Sequence, residues 1–398
     1  MKNRNLSILF FTLAVVMLGF GIIIPLMPFL VEKFGGNGVS MGLLMAIYSI
    51  MQFIFSPVWG ALSDRFGRKP ILMLGILGNA ISMVMFGLAG SMTALFVARG
   101  LAGIISSATL PTAMAYISDS TDEHERGGGM GIVGAAMGVG MVLGPGLGGL
   151  MGHYSLQAPF YFAAAVSILA MMFVWFLLPE SLPHERRSTA KVKFQGPQLG
   201  EMVKALSTPI GYLLILAFLH SFGLANFEGI FGMYAQLRYD YDEATIGLIL
   251  TVVGVVSTIV QGALTGMATK RWGDVKVIKV SLIASVFGFA AMLLAQNLLM
   301  VILMTGLFVF SNAMIRPGVS SLISKRTVHG QGMAMGLNNS YMSLGRIVGP
   351  LWAGAALDVN LGFPYITGAV IMLIGFIASL FFLPREEAVT QAETISME

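Results

Sequence analysis

Runs of 18 or more mostly apolar residues recur about twelve times along the chain, at roughly 6–30, 40–61, 70–90, 93–118, 128–151, 157–178, 209–235, 244–268, 277–296, 299–323, 331–357 and 362–383. That is the length a helix needs to cross a bilayer. A membrane β-barrel instead requires segments of about ten residues with alternating polarity, and the chain contains none. The pattern predicts an all-α polytopic membrane protein of about twelve transmembrane helices.

The pattern is also written twice. Gly60-Ala-Leu-Ser-Asp64-Arg65-Phe66-Gly67-Arg68-Lys69 returns as Gly266-Met-Ala-Thr-Lys270-Arg271-Trp272-Gly273-Asp274. Arg65 to Arg271 and Pro111 to Pro317 are both 206 residues apart, while Pro145 to Pro350, Pro159 to Pro364 and Pro179 to Pro384 are 205. Two parallel repeats of this kind predict two pseudo-symmetric six-helix bundles, the architecture of many solute carriers. The expected organisation is a first bundle over residues 1–179, a linker over 180–208, a second bundle over 209–384 and a tail over 385–398.

Composition agrees with this reading: 56% of residues are hydrophobic, 11% are charged and the mean hydropathy is +0.82, against about 25% charged residues in soluble domains. The first apolar run follows Lys2 and Arg4, but it is too long for a signal peptide, lacks a small-residue cleavage site and leads straight into further spans. With both termini in the cytoplasm, 18 of the 23 basic residues lie on the cytoplasmic side. Lys33 and Arg238 then lie outside, and Arg99, Arg316 and Arg346 within spans. The reverse topology would violate the positive-inside rule. The net charge of +4 is therefore a topology signal, and no basic patch interleaved with aromatics points to nucleic acid. The absence of cysteine excludes disulfides and thiolate chemistry.

Residues 180–208 form the one sizeable polar stretch, basic at His184-Glu-Arg-Arg187, Lys191 and Lys193. Within it, 198–206 reads either as a short surface helix, with Leu199, Met202, Val203 and Leu206 on one side, or as plain linker. The tail after Pro384 is polar and reads as disordered.

Several catalytic patterns match without their context. Gly144-Pro-Gly146-Leu-Gly-Gly149 fits a dinucleotide loop but follows no strand, and Gly38-Val-Ser40-Met-Gly42 resembles a nucleophile elbow with neither base nor acid. The five histidines lack metal-ligand spacing, and no phosphate loop is present. The chain reads as a non-enzyme with no metal and no cofactor, driven by a gradient of ions or solutes or else by a separate subunit.

Charged residues inside spans are costly, by about 2.5–3.5 kcal/mol on insertion scales, and so are candidates for function. Glu228 is the acid placed well inside a span, in Ser221-Phe-Gly-Leu-Ala-Asn226-Phe227-Glu228-Gly-Ile-Phe231. It reads as a proton carrier, or else as the fixed partner of a buried arginine. Phe227, Phe231 and Tyr234 either line a broad apolar pocket or pack the core. In the 60–69 turn, Asp64, Arg65 and Arg68, with Asp119 as partner of Arg65 or Arg68, form a gate or merely hold the loop inside. The run through Gly138, Gly144, Pro145 and Gly149 permits close helix packing, expected near Gly345 to Gly354, either as filler or as a pivot.

The 60–69 motif, Arg99-Gly100-x-x-Gly103 and the Gly144-Pro145 helix together resemble the major facilitator superfamily. The Gly-Pro helix and Leu18-Gly19-x-Gly21-x-x-x-Pro25-x-x-Pro28 are similar to its proton-coupled drug antiporters. Ser221 to Glu228, Met314-Ile-Arg316-Pro317 and Gly336-Leu-Asn338 resemble its Gram-positive multidrug pumps of the NorA and Bmr type. The resemblance implies proton coupling through Glu228 and a central cavity lined by Phe20, Gln52, Arg316 and Asn338. Those pumps carry a second acid three residues before the arginine matching Arg316, where this chain has Ala313.

The resulting expectation is a proton-coupled multidrug efflux antiporter in the bacterial cell membrane. It would be a monomer whose partners are protons, small amphipathic substrates and the lipid bilayer. Two alternatives are a dedicated exporter of one antibiotic, lipid or metabolite, and a non-transporting membrane receptor or sensor. The second is disfavoured by the absence of a soluble sensory domain.

Overall fold

The computed structural model describes residues 2–122, 126–189, 199–327 and 330–383. Among them are helices α1 (Lys2–Lys33), α2 (Gly38–Phe66), α3 (Arg68–Gly87), α4 (Met92–Ser120), α5 (Arg126–Tyr154) and α6 (Ala158–Leu177), then the short α7 (Leu199–Ala205). There follow α8 (Gly211–Tyr239), α9 (Glu243–Trp272), α10 (Asp274–Met292), α11 (Leu298–Arg326), α12 (Gln331–Val359) and α13 (Phe363–Phe382). Eleven of these are long and apolar enough to cross a membrane. The twelfth long helix is α12, whose run of Asn338, Asn339, Ser340, Ser343 and Arg346 lowers its hydropathy. No strand occurs among the described residues. In lipid this is the expected outcome, because a helix satisfies its own backbone hydrogen bonds.

The repeat seen in the sequence recurs in the helix ends. From α2 through α6, every start and end returns 205 or 206 residues later in α9 through α13. The same local chemistry makes the same boundaries. Gly67 (φ +105°) and Gly273 (φ +77°) turn the chain between helices at positive φ, where a side chain would be strained. Ser91 and Asn297 cap the N-termini of α4 and α11, accepting hydrogen bonds from the amides of Ala94 and Met300 at 3.2 and 3.0 Å.

The described chain groups into two compact units, one of residues 1–197 with 231–254 and one of 198–230 with 255–398. The C-terminal part of α8 and the first part of α9 thus belong to the first unit. Its core is the cluster of Leu9, Leu13, Val16, Leu72, Ile76, Tyr116, Ala136 and Val174, all buried. α6 and α13 keep rows of apolar side chains exposed, among them Met172, Phe173 and Phe176, and Ile374, Ile377 and Phe381. These are the surfaces that lipid covers.

The glycine-rich helix α5 does not pack where the sequence suggested. From Gly140 onward its glycines meet α1 and α9, whereas Gly345 and Gly349 on α12 face Phe218, Phe222 and Asn226 on α8. The physical reason lies in the spacing: Gly140, Gly144 and Gly148 recur every four residues on one face, which admits the backbone of α1. A Cβ on Gly144 would lie 2.8 Å from both Gly21 Cα and Leu18 O. Gly149, on another face, meets α9: its Cβ would be 2.4 Å from Glu243 O and 2.9 Å from Gly247 Cα. Pro145 is buried within α5, where its carbonyl would lie 2.6 Å from a Cβ on Gly247, and Gly138 is half-buried. Gly144→Leu therefore overpacks α1 against α5 and should destabilise the folded protein by about 1–3 kcal/mol. A drop in melting temperature in detergent would show it, and an unchanged melting curve would mean that α1 moves aside freely.

Close to the Gly149 contact, His153 Nδ1 lies 3.1 Å from Asp242 Oδ2, and Gln236 hydrogen-bonds Glu32. The Asp242 carboxyl sits below the usual carboxylate range because the Thr245 hydroxyl and amide donate to it, with His153 adding to the effect. In the linker, α7 lies against α12, where the Tyr341 hydroxyl donates to the Met202 carbonyl at 2.9 Å. Leu199, Val203 and Leu206 are exposed while Met202 is buried, so the four expected to share one side are divided. Lys191, Lys193 and the tail lie outside the described residues.

Candidate functional site

Three polar clusters interrupt the apolar helices. The first is the turn between α2 and α3. The buried Arg68 guanidinium donates to Asp119 Oδ2 at 2.8 Å, Asp64 Oδ1 at 2.5 Å and Ser63 Oγ at 2.7 Å. Its own amide and that of Lys69 donate to Glu180, at 2.9 and 3.2 Å. A carboxylate at that end of α3 complements the helix dipole. Of the two candidate partners for Asp119, Arg68 is the one engaged. Arg65 is exposed, with its guanidinium 5.5 Å from the Phe66 ring centroid.

The second repeat carries the same device with its charges exchanged. Arg68 corresponds to Asp274 and Asp119 to Lys325, each 206 residues on. Asp274 is buried and accepts from Lys325 Nζ at 2.7 Å and Ser321 Oγ at 2.8 Å. The repeat is degenerate in sequence but keeps an ion pair at this position.

The second cluster, in the first unit, surrounds Arg99 on α4. Arg99 is 1% exposed, and among the described residues no carboxylate pairs with it. Its guanidinium lies 4.8 Å from the Tyr48 ring centroid and 5.3 Å from that of Phe20, and its Nε donates to the Leu44 carbonyl at 3.3 Å. The ring faces and the carbonyl replace the hydration that a buried cation loses. Gln52 Nε2 approaches the Tyr48 hydroxyl at 3.4 Å, so Phe20, Gln52 and Arg99 share one site. Tyr48, at its centre, escaped the sequence reading because tyrosine in an apolar helix carries no signal of its own.

The third cluster, in the second unit, draws on α8, α11 and α12. Glu228 is half-buried, and Arg346 on α12 acts on it electrostatically. Arg346 also donates to Ser343 Oγ at 3.2 Å and stays exposed. Arg316 on α11 is exposed too, and it makes no ion pair or hydrogen bond among the described residues. A charge left open inside a span faces water rather than lipid. One turn along from Arg316, Ser320 accepts from Asn338 Nδ2 at 3.4 Å, and Asn338 is buried.

Two turns before Glu228, His220 is 4% exposed, lies against Asn312 and is within electrostatic reach of Arg316 and Arg346. The sequence reading missed His220. Its signal was available: a histidine within an apolar span.

Phe227, Phe231 and Tyr234 do not line an open pocket. Each is essentially without accessible surface. Phe227 packs on Phe308 at 5.3 Å, and the Tyr234 hydroxyl accepts from Arg238 Nη1 at 2.7 Å. Their spacing of four and three residues puts them on one helical face, and it is a face turned into packing.

Residues 9–242 and 213–396 each match the sequence profile of the Major Facilitator Superfamily. Multidrug resistance protein 2 of Bacillus subtilis (strain 168) is 31% identical over 369 residues, covering 92% of this chain and 92% of that protein. Quinolone resistance protein NorA of Staphylococcus aureus (strain COL) is 30% identical over 382 residues, covering 95% and 96%. Among solved structures, the nucleoside transporter NupG shares the fold, with a TM-score of 0.77 at 14% identity over 96% of this chain and 100% of that one.

Proposed function

Because the chain belongs to the Major Facilitator Superfamily, we propose that it is a proton-coupled antiporter that exports amphipathic compounds by alternating access. The membrane would be the bacterial cytoplasmic membrane, with both termini inside, in keeping with the bias of basic residues. The carrying observation is Glu228, an acid within a span that is partly open and under the influence of Arg346. A carboxylate in such a place exchanges a proton with whichever side the cavity faces. When charged it is stabilised by Arg346, and when protonated it releases that arginine. Relatives named for multidrug and quinolone resistance support export of amphiphiles. The test is dye accumulation in everted membrane vesicles energised by a proton gradient. Accumulation should collapse with an uncoupler, and uncoupler-resistant accumulation would remove proton coupling.

In this reading the two exchanged ion pairs act on the rate of interconversion. They lie at the helix turns, away from the clusters around Arg99 and Glu228, so their loss biases conformations rather than substrate contacts. Arg68→Ala is expected to lower the turnover number while leaving KM nearly unchanged. Asp274→Lys and Lys325→Asp should each do the same, and the double exchange should recover most of the rate. If the double variant is as slow as the singles, the pair is not the functional unit.

A further inference from the structure

The polar cluster of the second unit has a charge imbalance that proton coupling does not use. It holds two exposed guanidinium groups, Arg316 and Arg346, and one carboxylate, Glu228. Arg346 acts on Glu228, and among the described residues no carboxylate pairs with Arg316. Ala313, on the same helix one turn before Arg316, supplies none. Two neutral groups lie beside one another nearby, His220 and the Asn312 side chain, and among the described residues His220 Nδ1 and both polar atoms of Asn312 are buried without a well-formed hydrogen bond. Leaving buried polar atoms unpaired is unfavourable, and a guanidinium presents a planar fork of donors suited to an oxyanion. A lipophilic cation would meet net repulsion from the two guanidinium groups, whose donors only an acceptor such as an oxyanion can satisfy.

We propose that Arg316, with His220 and Asn312 beside it and Arg346 adjoining, binds an acidic group on the transported compound. The preferred substrates are then amphiphiles bearing a carboxylate or sulfonate, rather than purely cationic ones. The proton goes to the Glu228 carboxylate and the substrate's acidic group to Arg316, so one cycle can handle both. Export of such an anion from a cell with a negative interior runs with the membrane potential. The assignment rests on the transport reading above, but its test does not depend on flux.

The experiment uses two pyrene probes of opposite charge, 1-pyrenesulfonate and 1-pyrenemethylammonium, in equilibrium dialysis against the full-length protein in nanodiscs, with empty nanodiscs as the blank. The sulfonate should be retained above the blank and the ammonium should not. Arg316→Gln should weaken sulfonate binding about tenfold or more, as loss of a charge-assisted contact does. Arg316→Lys should retain part of it, and Arg316→Glu should reverse the preference, with melting temperatures confirming that each variant is folded. Preference of the wild-type protein for the ammonium, or sulfonate binding unchanged in folded Arg316→Gln, overturns the proposal. Uncoupler-sensitive dye efflux without sulfonate binding would remove the anion site and leave the transport reading standing. Sulfonate binding without any flux in proteoliposomes would do the reverse.

Discussion

Replacing Glu228 with Gln is expected to abolish uphill, proton-driven accumulation in everted vesicles while the protein stays folded and continues to exchange substrate down its gradient. Glutamine keeps the size and hydrogen-bonding capacity of the side chain but cannot gain or lose the proton. It also leaves Arg346 permanently without its charged neighbour on α8. Two readouts separate coupling from binding: accumulation against a gradient, which should vanish, and counterflow at equal pH on both sides, which should persist. Normal accumulation by Glu228→Gln would place the coupling group elsewhere and reduce Glu228 to a fixed partner of Arg346.

The second large effect is expected where α5 meets α9. A Cβ on Gly247 would lie 2.6 Å from the Pro145 carbonyl and 2.9 Å from Gly149 Cα. These are backbone atoms that cannot turn aside as a flexible side chain would. In an alternating-access cycle, helices from the two repeats separate at one end when the cavity opens there. Gly247→Ala would therefore penalise the conformation in which α5 and α9 touch. A penalty of about 1–3 kcal/mol on one state changes the ratio of states by about 5- to 150-fold. Turnover should fall, while the melting temperature falls less than in Gly144→Leu, whose contact joins α1 and α5 within one repeat.

Gln236→Cys provides an independent readout, because the chain contains no cysteine of its own. Gln236 bonds Glu32 in this structure, and labelling at 236 should accelerate when Gly247→Ala is added. Equal labelling rates in the two backgrounds would mean that the α5–α9 contact does not open during transport.

The contrast between those two glycines illustrates what could be seen in advance. The sequence displayed a glycine-rich α5 and its Pro145, and it was right that backbones approach there. It could not say that Gly144 faces α1 while Gly149 faces α9, because neighbours several helices apart are set by packing. The expected partner, Gly345 to Gly354, proved to face α8. Phe227, Phe231 and Tyr234 follow the same rule: periodicity put them on one face, and only the tertiary structure showed that this face is packed.

By itself the sequence determined the elements that local physics dictates. Helices of membrane-spanning length follow from apolar runs that must satisfy their backbones internally. Their ends follow from glycine turns and polar caps, and these recur in the second repeat at the same offset. Charges inside spans were equally legible, because their insertion is costly wherever they end up. The tertiary structure decided how those charges are satisfied. Arg99 rests on two aromatic faces, Arg68 takes Asp119 while Arg65 stays exposed, and the second repeat holds the inverted pair Asp274–Lys325. It also set His220 beside Asn312 and, among the described residues, placed no carboxylate in an ion pair with Arg316. Such contacts join residues tens of positions apart, and their geometry is fixed by helix packing rather than by any short stretch of chain.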